Sequence, residues 1–260
     1  MTHDADSTSF RARAPAFCAV LVLALLWELL VRVLGVPEYI FPTLTRVCYE
    51  LLVSGGTVLY HLLITLGVAC LGLLVGTSMS LGTALIFARF GLIRRALLPI
   101  LIAGQAIPVV ALAPYFLIWF GPGLTSRVLL ICILVFLPGL LVTVEGLRRS
   151  RRDAGLLFDV IRVTPSRRFR WLTVPLAMPA IASAIDLTAA LSVIGAIVSE
   201  LSGQPNGVGF LVIIASYQFD TPAVFAVLSA AAIGSFVLFS LVRLGTLTLR
   251  RKFAIYYEGG

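Results

Sequence analysis

RRSRRDAGLLFDVIRVTPSRRFRWLTVPLAMPAI, Arg148 to Ile181, is the stretch on which the fold of this chain turns. It carries eight arginines between Arg148 and Pro175 and closes on the apolar, proline-bearing run TVPLAMPAI, Thr173 to Ile181. No other long interior segment is strongly polar, and so many guanidinium groups cannot be held in hydrocarbon. This segment therefore faces water, and the stretches on either side are read against it.

Those stretches belong to a membrane. Of the 260 residues, 60% are hydrophobic and only 12% charged, and the mean hydropathy is +1.05. A soluble domain carries about 25% charged residues. Crossing ~30 Å of hydrocarbon takes about 20 apolar residues in a helix, which satisfies its own backbone polar groups. The sequence predicts an all-α, polytopic transmembrane helical bundle of about six spans: Ala16–Leu34, Val58–Phe87, Ala96–Phe120, Leu124–Leu147, Ala177–Leu201 and Pro222–Leu249. This gives a tail over residues 1–15, a membrane domain over 16–249 with its polar loop at about 148–175, and a second tail over 250–260. The first apolar core continues through Trp27 without a small-residue cleavage site, so it is expected to be an uncleaved helix. The mixed segment Pro42–Leu52 is expected at the membrane interface.

Basic residues resist translocation and mark the cytoplasmic side. With the N-terminus inside, Arg11, Arg13, Arg89, Arg94, Arg95, the central loop, Arg250, Arg251 and Lys252 all fall inside. Arg46 and Arg127 fall outside, and Arg32 and Arg243 lie in spans near their ends, where a long side chain can snorkel. Both termini are thus expected in the cytoplasm. The net charge of +8 follows from this topology, aided by anionic lipid, and requires no nucleic acid.

Cys18, Cys48, Cys70 and Cys132 form no CxxC pair and read as small packing residues. His3 and His61 are the only histidines and cannot build a metal site. No HExxH, GxSxG or P-loop is present, so neither a catalytic site nor a cofactor is expected, and any nucleotide hydrolysis belongs to another chain.

Charges inside spans mark a pair or a path. Glu28 and Arg32 stand four apart in the favourable order and read as a local ion pair near the outer leaflet. Asp186, with no cation one turn away, must face a cavity, another subunit or a polar cluster. Glu200 and Asp220 bracket an outer loop and read as solvated surface acids. In the third span Gln105 and Pro108, and again Pro114, predict interruptions, either as plain kinks or as openings onto a water-filled route. Pro138 and Gly139 repeat the pattern in the fourth span, and Gly67, Gly72, Gly76 and Gly82 permit close packing of the second. Gln105, Pro108, Tyr115, Asp186 and Ser192 are the candidates for a translocation path.

Within the central loop, Phe158, Ile161, Phe169 and Leu172 can form short amphipathic pieces. Their apolar face either anchors to lipid or forms a knob for a soluble partner.

Arg168, Phe169 and Arg170, then Val174 and Pro175 with Pro179 four residues on, resemble the EAA loop of binding-protein-dependent ABC importer permeases. Further blocks resemble the nitrate, sulfonate and taurine branch of that family: LWELLVRVLGVPEYIFPTLTRV (Leu25 to Val47), QAIPVVALAPYFLIWFGPGLTSRV (Gln105 to Val128), VEGLRR (Val144 to Arg149) and the stretch from Ile194 to Ala226. The loop departs from the family pattern in one place. Counting back from Pro175, the acid and alanine positions fall on Leu156, Leu157 and Phe158, and the glycine on Arg162. Asp153 and Asp159 match only with a local insertion or deletion.

The resemblance implies a type I importer fold. It also implies a second permease subunit, ATP-binding ABC subunits docked on the loop, an extracytoplasmic solute-binding protein, and residence in a bacterial inner membrane. On this basis Asp153, Phe158, Asp159, Arg162, Arg168, Phe169, Pro175 and Pro179 are the candidates for ATPase coupling. The branch points to nitrate, sulfonates, taurine or a thiamine-precursor-like compound as cargo. The alternative is a secondary transporter or channel that needs no ATPase, which would show more embedded charge or a half-chain repeat.

Overall fold

The computed structural model describes residues 5–153, 164, 167 and 169–254; of the helical residues among these, the side chains of 5–17, 151, 153 and 252–254 are not described. Among the described residues the chain is helical and holds no strand. α1 (Ala5–Leu34) contains the first expected span. α2 (Leu44–Arg89) runs unbroken for 46 residues, about 69 Å at ~1.5 Å per residue and twice the hydrocarbon thickness.

The interfacial segment expected at Pro42–Leu52 is therefore not a separate piece. Thr43 caps α2, its hydroxyl accepting from Arg46 N at 3.3 Å. Ser54, Gly55 and Gly56 lie within the helix as well, the Ser54 hydroxyl donating to Glu50 O at 2.7 Å. Each glycine costs the helix only ~1 kcal/mol, which the long apolar flanks offset.

α3 (Gly91–Gly104) and α4 (Val109–Phe120) replace the expected third span, bent by 93° at the break between them. Gln105, Ala106 and Ile107 close α3 with tight turns, their N–H groups donating to Ile102, Ala103 and Gly104 carbonyls at 3.1–3.2 Å. Pro108 then has no N–H to give and disfavours helical backbone at Ile107. The second expected interruption does not occur, because Pro114 sits inside α4 without breaking it. α5 (Leu124–Asp153) likewise runs through Pro138.

A wide π-type turn, Phe169–Thr173, leads into α6 (Val174–Glu200). The segment after it is not simply a loop, since it holds the short apolar helix α7 (Val208–Tyr217). α8 (Thr221–Ala254) ends the described chain. Among the described residues four helical stretches are long and apolar enough to cross a membrane, and a fifth if α3 and α4 count as one broken span. The remaining expected span lies in α1.

The chain divides into two compact units, residues 1–59 with 211–230 and residues 60–210 with 231–260. In the first, Trp27, Phe41 and Phe225 pack with ring centroids 5.3–5.8 Å apart, and Trp27 Nε1 donates to Pro42 O at 3.0 Å. Glu28 does more than pair with Arg32 at 2.7 Å: its other oxygen accepts from Thr45 N at 3.2 Å, in the first turn of α2. An acid there is favoured by the helix dipole.

The second unit is built around α5 and α6. One core cluster joins Val68, Ile131, Val135, Val193 and Leu238; another joins Phe87, Leu137, Leu140, Leu147 and Ala177. Small residues let the helices approach. A Cβ on Gly76 would meet Cys132 Cα at 3.0 Å, one on Gly139 would meet Ser80 Oγ at 2.7 Å, and one on Gly146 would overlap Ala180. Gly67 and Gly82 have nothing within 4 Å, so only part of the expected glycine pattern packs within the chain.

Candidate translocation site and a buried ion pair

The bend between α3 and α4 opens a cavity of about 750 Å³. Val75 and Met79 of α2 line it, with Gly104, Gln105 and Pro108 at the break, Cys132 and Phe136 of α5, and Leu191 of α6. Gln105 is exposed and brings the one amide side chain; no charged side chain lines the cavity among the described residues. The space can take up an apolar solute and offer it a donor and an acceptor. Apart from the Cys132 thiol, it supplies no acid, base or nucleophile among the described residues.

Of the five path candidates, Gln105 and Pro108 meet at this cavity. Tyr115 is 54% exposed and packs on Trp119 with centroids 6.2 Å apart. Ser192 is fully buried, its hydroxyl donating to Ala189 O at 2.9 Å. Asp186 sits in a polar cluster: it accepts from Arg250 Nη2 at 2.7 Å and from the Thr246 hydroxyl at 2.6 Å. Arg250, read in sequence as a basic residue beyond the last span, thus serves as the partner of an acid inside one.

Of the coupling-loop candidates, Phe169 opens the π-type turn and is half-buried. Pro175 stands in the first turn of α6, where its missing N–H costs nothing, and Pro179 lies one turn on. Asp153 ends α5, its side chain not described. Phe158, Asp159, Arg162 and Arg168 lie outside the described residues. Trp171, not among the residues singled out from the sequence, is 76% exposed in the same turn.

Glu200 corrects an expectation. It is not a solvated surface acid: it is fully buried at the end of α6 and paired with Arg127 of α5, itself 6% exposed. The Thr65 hydroxyl lies 2.9 Å from both carboxylate oxygens, and Gly209 N donates to Oε2 at 2.9 Å. Val208 N donates to Thr65 Oγ1 at 2.9 Å, and Gly207 N to His61 Nδ1 at 3.0 Å. The carboxylate thus ties α2, α5 and α6 to the start of α7.

Glycine is required at two points of this cradle. Gly207 has φ +113°, and a Cβ there would overlap the Glu200 carboxylate; at Gly209 it would meet Ile197 O at 2.8 Å. The GxG spacing after an acid was the available signal, but nothing local pointed to Arg127, 73 residues upstream. Of the cysteines, Cys132 is buried packing, whereas Cys18 and Cys48 are exposed.

Comparison with known proteins places these features. Residues 71–251 match the family described as binding-protein-dependent transport system inner membrane component. The riboflavin transport system permease protein of Chloroflexus aurantiacus is 34% identical over 230 residues, covering 86% of this chain and 85% of its own. The putative aliphatic sulfonates transport permease protein of Bacillus subtilis is 30% identical over 249 residues, covering 92% and 87%. An amino acid ABC transporter structure superposes with a TM-score of 0.56 at 17% identity, over 80% of this chain and 96% of that one, and supports the fold alone. A broken apolar helix beside a cavity that no charged side chain lines among the described residues is thus found in a multi-pass chain that belongs to a non-catalytic family, the inner-membrane permease subunits of binding-protein-dependent ABC importers.

Proposed function

We propose that this permease subunit passes its solute along the α3–α4 break and that separate ATP-hydrolysing subunits drive it through the loop at residues 148–175. In this reading the loop and both termini face the cytoplasm. A second permease subunit, identical or closely related, completes the route, and an extracytoplasmic binding protein delivers the solute. The coupling side chains are sought among Asp153, Phe158, Asp159, Arg162, Arg168 and Phe169, with Pro175 and Pro179 setting the entry of α6. Tyr115, Asp186 and Ser192 stand off the cavity and bear on the route only indirectly, by shaping the helices around it.

The cargo we favour is a small planar heterocycle rather than nitrate, taurine or an alkanesulfonate. The observation that carries this is the lining: apolar walls with one amide, Gln105. An anion leaving water needs charge-assisted donors, whereas a ring system needs apolar area and a few polar contacts. The riboflavin permease among the relatives supports the same choice; the sulfonate permease is why the anion remains the comparison in the test.

The test is uptake into proteoliposomes holding the chain with its ATPase and binding protein, offered labelled riboflavin-type heterocycle or taurine. Gln105→Leu should lower heterocycle uptake about tenfold, the equivalent of losing roughly one 1.4 kcal/mol interaction, with ATP hydrolysis retained. Phe169→Asp should cut transport per ATP hydrolysed while leaving membrane insertion intact. Taurine uptake in preference to the heterocycle would overturn the cargo, and normal coupling in Phe169→Asp would overturn the role of the turn.

A further inference from the structure

A second hollow, of about 230 Å³, lies where α2 ends, α3 begins and α5 approaches its end. Ala88, Arg94, Val144, Leu147 and Arg148 line it. Its floor is core: Leu147 is 1% and Val144 9% exposed. Its rim is cationic and only partly neutralised. Arg148 donates to Glu145 at 2.8 and 3.1 Å, and Arg149 takes the same carboxylate at 2.9 Å. One acid thus serves two arginines, and among the described residues no carboxylate pairs with Arg94. Arg89 and Arg95 stand exposed alongside, so the local charge is strongly positive.

We propose that this hollow binds the phosphate headgroup of an anionic phospholipid. A planar guanidinium offers a phosphate two parallel N–H donors, and basic pockets between membrane helices suit such headgroups. The volume far exceeds the ~10–15 Å³ a single water needs. The neighbours of Arg94 favour a lipid over a free anion: Phe90, just before α3, and Leu92, in its first turn, are 53% and 81% exposed. An acyl chain gains apolar contact there, and inorganic phosphate gains none.

The test titrates the purified full-length chain in mild detergent with phosphatidylglycerol, phosphatidylcholine or inorganic phosphate, with retained lipid counted by native mass spectrometry. Phosphatidylglycerol should bind at least tenfold more tightly than phosphatidylcholine. Arg94→Gln should weaken it about fivefold, and Arg94→Gln with Arg148→Gln about 25-fold, at roughly 1 kcal/mol per basic residue. Arg94→Lys, which keeps the charge and loses the fork, should fall between wild type and Arg94→Gln. If Arg94→Gln cannot be recovered folded, Arg94→Lys and Arg148→Gln carry the measurement. Arg95→Gln, outside the hollow, should change binding less than twofold. Unchanged binding in the Arg94 and Arg148 variants overturns the proposal. So does an equal loss in Arg95→Gln, which would mean diffuse surface charge, or displacement of the lipid by inorganic phosphate at equal concentration.

Discussion

Replacing Glu200 by Gln tests the buried ion pair at the end of α6. The substitution keeps the shape of the side chain and one acceptor oxygen, so the contacts to Thr65 and Gly209 N, each 2.9 Å in the native chain, can be partly re-formed. What it removes is the charge facing Arg127, which is 6% exposed and whose Nε has no partner among the described residues. Stranding one member of a buried pair costs about 3–5 kcal/mol. A chain of this size loses roughly 2–4 °C of Tm per kcal/mol, so the variant should melt about 6–20 °C below wild type. The assay is thermal unfolding in lipid nanodiscs, followed by tryptophan fluorescence. Arg127→Met should be about as damaging, because it strands a carboxylate that is fully buried. The double variant should cost about 0.5–3 kcal/mol less than the sum of the two, since removing both charges leaves neither unpaired. A Glu200→Gln variant melting within about 2 °C of wild type, or strict additivity in the double variant, would refute the account.

Two glycine pairs offer matched controls. Gly207→Ala and Gly203→Ala both place a side chain at positive φ, +113° and +105° respectively, a strain of about 1–3 kcal/mol. Only at Gly207 does the new Cβ overlap Glu200; at Gly203 the nearest atom is Leu117 Cδ2 at 3.6 Å, so Gly207→Ala should melt distinctly lower in the same assay. Gly146→Ala, which overlaps Ala180 of α6, should destabilise by about 1–3 kcal/mol. Gly82→Ala, with nothing within 4 Å, should be neutral or stabilise by up to about 1 kcal/mol; equal melting of these two variants would mean that α5 and α6 yield at their contact.

What could be read in the sequence was what depends on composition over a whole turn or span. The apolar runs and the clustered arginines follow from transfer energies, which sum along the chain. Pro108 was legible as a break because proline acts on its own neighbours. Where local and long-range effects compete, the sequence misled. Pro42–Leu52 read as a separate interfacial piece, but α2 runs from Leu44 through it and on through Ser54, Gly55 and Gly56. Pro114 and Pro138 each remove one bond, and the surrounding helix absorbs the loss. Glu200 was the hardest case. Its environment depends on Arg127, Thr65 and Gly209, brought together only by the packing of separate helices.

The positions of the charged and uncharged sites explain each other. A solute that must leave again is poorly served by a passage lined with fixed charge, because each strong contact deepens the well it has to climb out of. On the proposed route, the cavity at the α3–α4 break accordingly offers one amide among apolar walls. The ion pair lies instead at the far end of α6, where a strong, directional contact has a different use: it fixes the turn from Glu200 to Gly209 against α2 and α5. Apolar packing through glycine and alanine lets helices slide with little directional preference, whereas a buried carboxylate with three hydrogen-bonding partners, Thr65, Arg127 and Gly209, permits one arrangement. The proposed ATP-driven transport calls for both properties, and this chain keeps them at separate points along the same helices.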